Sequence, residues 1–207
     1  VGARFSSLLL GIADQNQLIA LFFAMCISII LGMGMPTTAA YAVAAAVVAP
    51  GLIQLGIPVL VAHFFVFYYA VMSAITPPVA LAAYAGAGLS GSDPMKTSVE
   101  AFKIGLAAFI VPFMFFYSHE LLMQGEWIDI ARVVATALLG MYLLSASVQG
   151  YYFGPIGIVL RIVLLIAALS MIEGTWYTDL FGLAVAVGLF FYQKRFVTPR
   201  TLAKGAD

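Results

Sequence analysis

The sequence predicts an all-α integral membrane protein, built from a re-entrant helical hairpin and a discontinuous helix with additional transmembrane helices after them. Three observations lead there. Of 207 residues, 64% are hydrophobic and 9% charged, with a mean hydropathy of +1.09, which leaves too little polar surface for a soluble domain. Apolar runs of spanning character recur along the chain. Two of them are interrupted by Gly and Pro, at LGMGMPTTAAY (Leu31 to Tyr41) and at SAITPPVAL (Ser73 to Leu81). Non-helical backbone at membrane depth is tolerated only where it is buried in protein or lines a wet cavity, so paired breaks point to a binding site.

Composition also excludes some functions. Formal charge is zero and no basic run occurs before the last residues, so nothing points to nucleic acid. The single cysteine, Cys26, has no intrachain partner for a disulfide. With two histidines, one cysteine and neither HExxH nor GxSxG, the chain lacks the groups of a membrane-embedded enzyme. It opens VGARFSSLLLG, without initiator Met, basic n-region or small-residue cleavage site, and is expected to begin inside a longer protein.

Residues 1–17 hold a short interfacial helix, Arg4 to Gln17, with Phe5, Leu8, Leu9 and Ile12 at helical spacing before a polar cluster. Residues 18–56 form the hairpin. Its arms, Leu18 to Leu31 and Ala39 to Ala49, are each shorter than the roughly 20 residues of a bilayer crossing, and it closes at Pro50-Gly51. Between the arms, Gly32 and Gly34 permit a tight reversal and Pro36 removes a donor, with Thr37 or Thr38 placed to cap the second arm. Residues 57–89 form one spanning helix broken at Thr76-Pro77-Pro78, where two successive donors are missing. Residues 90–124 are a polar connection, with Ser92 or Asp93 as N-cap and Pro94 at the first helical position, then a helix apolar from Ile104 to Tyr117. Residues 125–193 form an extension of three spans, Ile130 to Val148, Ile156 to Ile172 and Thr178 to Tyr192, before a basic tail at 194–207.

One alternating orientation satisfies the loops. A cytoplasmic tail with Lys194, Arg195, Arg200 and Lys204 puts Lys96 and Lys103 inside and leaves both outer loops without Lys or Arg. Arg161 can snorkel inward, and Arg132, at an outer edge, is the one exception. The hairpin then opens outward and its tip points into the bilayer. There the first arm ends in unpaired carbonyls and the negative end of its dipole, a setting for a small hard cation. The second arm begins in free amides, a setting for an anion. No Asp or Glu lies between Gln15 and Gly91, so such a cation would rest on carbonyl and hydroxyl oxygen, including Ser73 and Thr76. This pairing is expected of a sodium-coupled anion transporter. His63, among FFVFYY near the outer end of its span, is expected to be a neutral, hydrogen-bonded imidazole. Tyr41, Tyr68, Tyr69 and Tyr84 offer hydroxyls, and Tyr41, one turn past Thr37, is the one to test.

The segments GMGMPTTAAY, APGLIQLGIPVLVAHFFVFYYAVMSAITPPVALAAYAGAG and DPMKTSVEAFKIGLAAFIVPFMF resemble the C-terminal part of the large permease subunit of tripartite ATP-independent periplasmic (TRAP) transporters. The resemblance covers Val1 to about Gln124 and is nearest the TAXI class, in which large and small membrane subunits are often fused. It implies an elevator-type transport domain in a bacterial or archaeal cytoplasmic (inner) membrane. It implies Na⁺-driven import of an organic anion, usually a carboxylate, delivered by a periplasmic substrate-binding protein, with a small TRAP membrane subunit as partner. The hairpin and broken helix match the second of the family's two inverted repeats. Gly32, Gly34, Thr37, Ser73 and Thr76 are then candidate Na⁺ neighbours, and Pro36, Thr38, Tyr41 and Pro78 substrate-side elements. The alternatives are a channel-like or a structural membrane subunit without coupled transport; no filter-like repeat or acidic ring favours the channel.

Overall fold

The computed structural model describes Gly11, residues 17–173 and residues 175–196, all helix, turn or loop apart from one isolated bridge between Tyr151 and Pro155. The interfacial helix expected over 4–17 and the tail beyond Phe196 lie outside these residues, save Gly11 and Gln17. The chain forms two compact units, Val1–Gly105 and Leu106–Asp207.

In the first unit, α1 (Gln17–Gly32), α2 (Thr37–Gln54) and α3 (Val59–Met72) pack against one another. The reason is written in fours. Ala20, Ala24, Ser28 and Gly32 form a buried stripe on α1, and Ala40, Ala44, Val48 and Leu52 form another on α2. Small residues at that spacing line one helix face and let backbones approach closely, the usual route to helix association in lipid. Tyr69 and Phe65 of α3 are fully buried beside them, ring centroids 4.9 Å apart. Phe22, Ile30, Phe64 and Phe67 point outward, as lipid-facing side chains do.

Two expectations for the hairpin are corrected. Neither Thr37 nor Thr38 caps α2: the N-cap is Pro36, at φ −58° and ψ 145°, with no side-chain cap bond, and its carbonyl accepts from Ala40 N at 2.9 Å. Proline has the required φ built in, and it has no amide of its own to leave unpaired. Nor does the second arm end at Pro50-Gly51. The helix runs through Pro50 to Gln54, 18 residues and so about 27 Å, long and apolar enough to cross a membrane. Pro50 costs the helix one donor, while burial of Gly51 and Leu52 just beyond it holds the last turn in place.

α3 tightens into a 3₁₀ turn at Ser73–Ile75, the chain is extended at Thr76, and helix resumes as α4 (Leu81–Ser90). Asp93 is the N-cap of α5 (Pro94–Gly105), its Oδ1 accepting from Lys96 N at 2.8 Å with Pro94 at the first position.

The second unit begins with the 3₁₀ turn Leu106–Ile110 and α6 (Val111–Tyr117), followed by α7 (Trp127–Gln149), α8 (Ile158–Ser170) and α9 (Trp176–Phe196). Pro94–Tyr117 and Trp127–Gln149 are, like α2, long and apolar enough to span a membrane. Leu143, Leu164 and Met171 sit at the centre of this core. Met171 packs on Gly140, where an added Cβ would meet its Cβ at 3.4 Å.

Three polar side chains fasten the described part of this unit. Arg161 caps α7: its Nε and Nη2 donate to the carbonyls of Ser147 and Val148 at 2.8 Å each, and Ser147 Oγ donates to Arg161 O at 2.7 Å. That satisfies last-turn carbonyls with a cation at the negative end of the helix. Arg132 is explained as well. Its Nη1 lies 3.1 Å from Asp179 Oδ2, and its guanidinium stacks 4.7 Å above the Trp176 ring. Gln193, 1% exposed, holds the loop after α7, accepting from Phe153 N at 2.9 Å and donating to Gly154 O at 3.3 Å.

Candidate functional site

The site is where the hairpin tip meets the break after α3. Gly32 closes α1, and a Cβ placed there would stand 2.5 Å from Ser73 Oγ and 3.0 Å from the Ala70 carbonyl oxygen. Only a hydrogen fits. Gly34 follows at φ +76°, a region open to glycine, and a Cβ on it would lie 3.4 Å from Val79 Cγ1. The tip turn is closed by Met33 N donating to Ile29 O at 3.1 Å and Met35 N to Gly32 O at 3.3 Å.

On the facing helix, the two hydroxyls turn their protons back. Ser73 Oγ donates to Ala70 O at 2.6 Å and Thr76 Oγ1 to Met72 O at 2.8 Å. An oxygen that donates backwards keeps its lone pairs for an incoming donor or cation. Ser73 is buried and Thr76 nearly so. At the other side of the break, the Pro77-Pro78 peptide is cis, and Tyr84 on α4 donates its hydroxyl to the Pro78 carbonyl.

The structure thus brings Gly32 and Gly34 together with Ser73 and Val79. Pro36, Thr37 and Thr38 are exposed at the start of α2, where the first-turn amides have no intrahelical acceptor, and no hydrogen bond joins Thr37 or Thr38 to Ser73 or Thr76 among the described residues. Pro78 is exposed as well. The Tyr41 hydroxyl lies 2.9 Å from Nδ1 of His63, so it is engaged by α3. That partnership was invisible in the sequence, 22 residues apart. Ala70 was missed too, because a backbone carbonyl carries no sequence signal.

Among the described residues no three His, Cys, Asp or Glu side chains cluster. Chemically, the junction offers neutral oxygens on one side and helix N-terminal amides on the other.

The family model for the tripartite ATP-independent periplasmic transporter, DctM component, matches residues 1–128. The chain belongs to this family. It is a TRAP permease and, with its apolar helices, a multi-pass membrane protein. The match takes in the hairpin, the broken helix, α5 and α6, and nearly all of α7, with α8 and α9, falls beyond it. TRAP permeases are transporter subunits rather than enzymes, and the family implies a periplasmic binding protein and a small membrane subunit as partners. No curated protein and no solved structure matches the chain.

Proposed function

We propose that this TRAP permease, of the TAXI class, couples Na⁺ entry to import of an organic anion, a carboxylate, across a bacterial or archaeal cytoplasmic membrane. Substrate arrives on the periplasmic binding protein, and the hairpin and broken helix act as the second repeat of an elevator-type transport domain. The observation that carries this reading is the junction of Gly32 with Ser73 and Ala70, where two helix breaks meet at van der Waals contact. Na⁺ is cargo here. The oxygens available to it are the Ser73 and Thr76 hydroxyls, whose lone pairs stay free of the bonds their protons make, and the carbonyls closing α1 and α3. The amides opening α2 beside Pro36 suit the substrate carboxylate. The C-terminus faces the cytoplasm in this reading, and residues 130–207 serve a structural part, a reading supported by Arg132, Arg161 and Gln193, each of which fastens one segment of the second unit to another.

The test is uptake of a labelled dicarboxylate into proteoliposomes holding the complete transporter, with and without binding protein and an inward Na⁺ gradient. Uptake should require both, and the Na⁺-dependent uptake should be lost in Thr37→Ala or Thr76→Ala. Uptake indifferent to Na⁺ and to the binding protein would refute coupled transport. If both variants retain Na⁺-dependent uptake, the ion site lies elsewhere.

A further inference from the structure

Beyond the tip, α2 and α3 are joined by a second polar contact. Tyr41 donates to or accepts from His63 Nδ1 at 2.9 Å in a half-buried bond, and the Tyr41 ring packs edge-on against Phe67, centroids 5.4 Å apart at 87°. Tyr41 lies one turn past Thr37 at the start of α2, and Phe67 less than two turns before Ser73. Helices are stiff along their axes, so what holds Tyr41 on α3 also holds the tip against the break.

Something has to hold it. The buried stripe on α2, Ala40, Ala44, Val48 and Leu52, repeats every four residues, and its contacts are apolar and without direction, so they fix the stagger less sharply than a hydrogen bond does. A hydroxyl and an imidazole between helices are more exacting, because in any other stagger each is left unpaired in apolar surroundings. This is how a single polar residue fixes register in an otherwise apolar helix interface.

We propose that Tyr41 and His63 are positioning residues for the ion site: their bond sets the stagger of α2 on α3, and so the affinity for Na⁺. The inference rests on the Na⁺-coupled reading above. An ion held by oxygens from both breaks needs them together, so a loosened stagger weakens binding before it weakens the fold.

The test uses the complete permease in detergent, with Na⁺ alone as the probe. Melting temperature is followed against NaCl, with choline chloride keeping ionic strength constant, which yields a Na⁺ half-saturation and a separate Na⁺-free melting temperature. Tyr41→Phe keeps the ring on Phe67 and removes the bond, and His63→Leu removes it from the other side. His63→Asn places an amide near the position of Nδ1 and restores it. Tyr41→Phe and His63→Leu should each raise the half-saturation about three- to tenfold, the double variant should do no more than either, and His63→Asn should bind like the parent. If His63→Leu fails to fold, Tyr41→Phe and His63→Asn carry the comparison. Unchanged Na⁺ half-saturation in Tyr41→Phe, even with a lower Na⁺-free melting temperature, would make the pair merely structural and overturn the inference. Multiplying effects in the double variant would overturn it too. A parent protein without any Na⁺-specific shift would overturn the Na⁺ reading itself, and this inference with it.

Discussion

Gly32→Ala is the sharpest test of the junction. In an isolated helix the change is favourable by about 0.5–1 kcal/mol, because alanine is the better helix former. Here the new methyl would arrive 2.5 Å from Ser73 Oγ and 3.0 Å from the Ala70 carbonyl, where ordinary contact is about 3.4 Å or more. Ser73 can rotate away only by giving up its 2.6 Å bond to Ala70 O, and the carbonyl, being backbone, moves only if α3 moves. Overpacking of this kind costs about 1–3 kcal/mol, which set against the propensity gain leaves a net loss of up to about 2.5 kcal/mol. The control is Gly88→Ala on α4, where nothing stands within 4 Å of the added carbon, so only the propensity term acts. Thermal unfolding of the complete permease should show Gly32→Ala melting a few degrees lower and Gly88→Ala unchanged or slightly higher. Should the two variants melt alike, the argument for close approach at the tip is wrong.

Three further outcomes follow from the polar fasteners. Arg132→Leu strands Asp179, whose side chain is 9% exposed, without its counter-charge and should cost about 3 kcal/mol by thermal unfolding; Arg132→Leu with Asp179→Leu should recover most of that loss. Gln193→Leu keeps the volume but orphans Phe153 N and Gly154 O, a loss of about 2 kcal/mol, seen most directly as faster hydrogen exchange at the Phe153 amide. Asp93→Ala removes the acceptor for Lys96 N and should destabilise the start of α5 by about 1 kcal/mol, whereas Ser92→Ala should leave that amide protected, since Ser92 Oγ bonds Ser90 and Thr97 instead.

What could be read in the sequence is what neighbouring residues decide among themselves. Composition determined the membrane class, and the family followed from motifs spanning both breaks. The breaks themselves are local chemistry: Gly34 takes a positive φ, Pro36 lacks a donor, and Pro77-Pro78 lacks two in succession, so the helices stop where those residues stand. The Asp93-Pro94 start of α5 is legible for the same reason. Local rules also misled, since a proline at 50 reads as an end and only the burial of Gly51 and Leu52 carries the helix past it. The partnerships were not legible at all. That Gly32 meets Ser73, that Tyr41 meets His63, and that Arg132 finds Asp179 47 residues away depends on how each helix is rotated and staggered against the next. Stripes of Ala, Val and Leu bring helices together but fix the stagger less sharply than hydrogen bonds do, because apolar contact has no direction. The choice falls to a few glycines and hydrogen-bonding side chains, and which of them face one another is decided only when the helices pack.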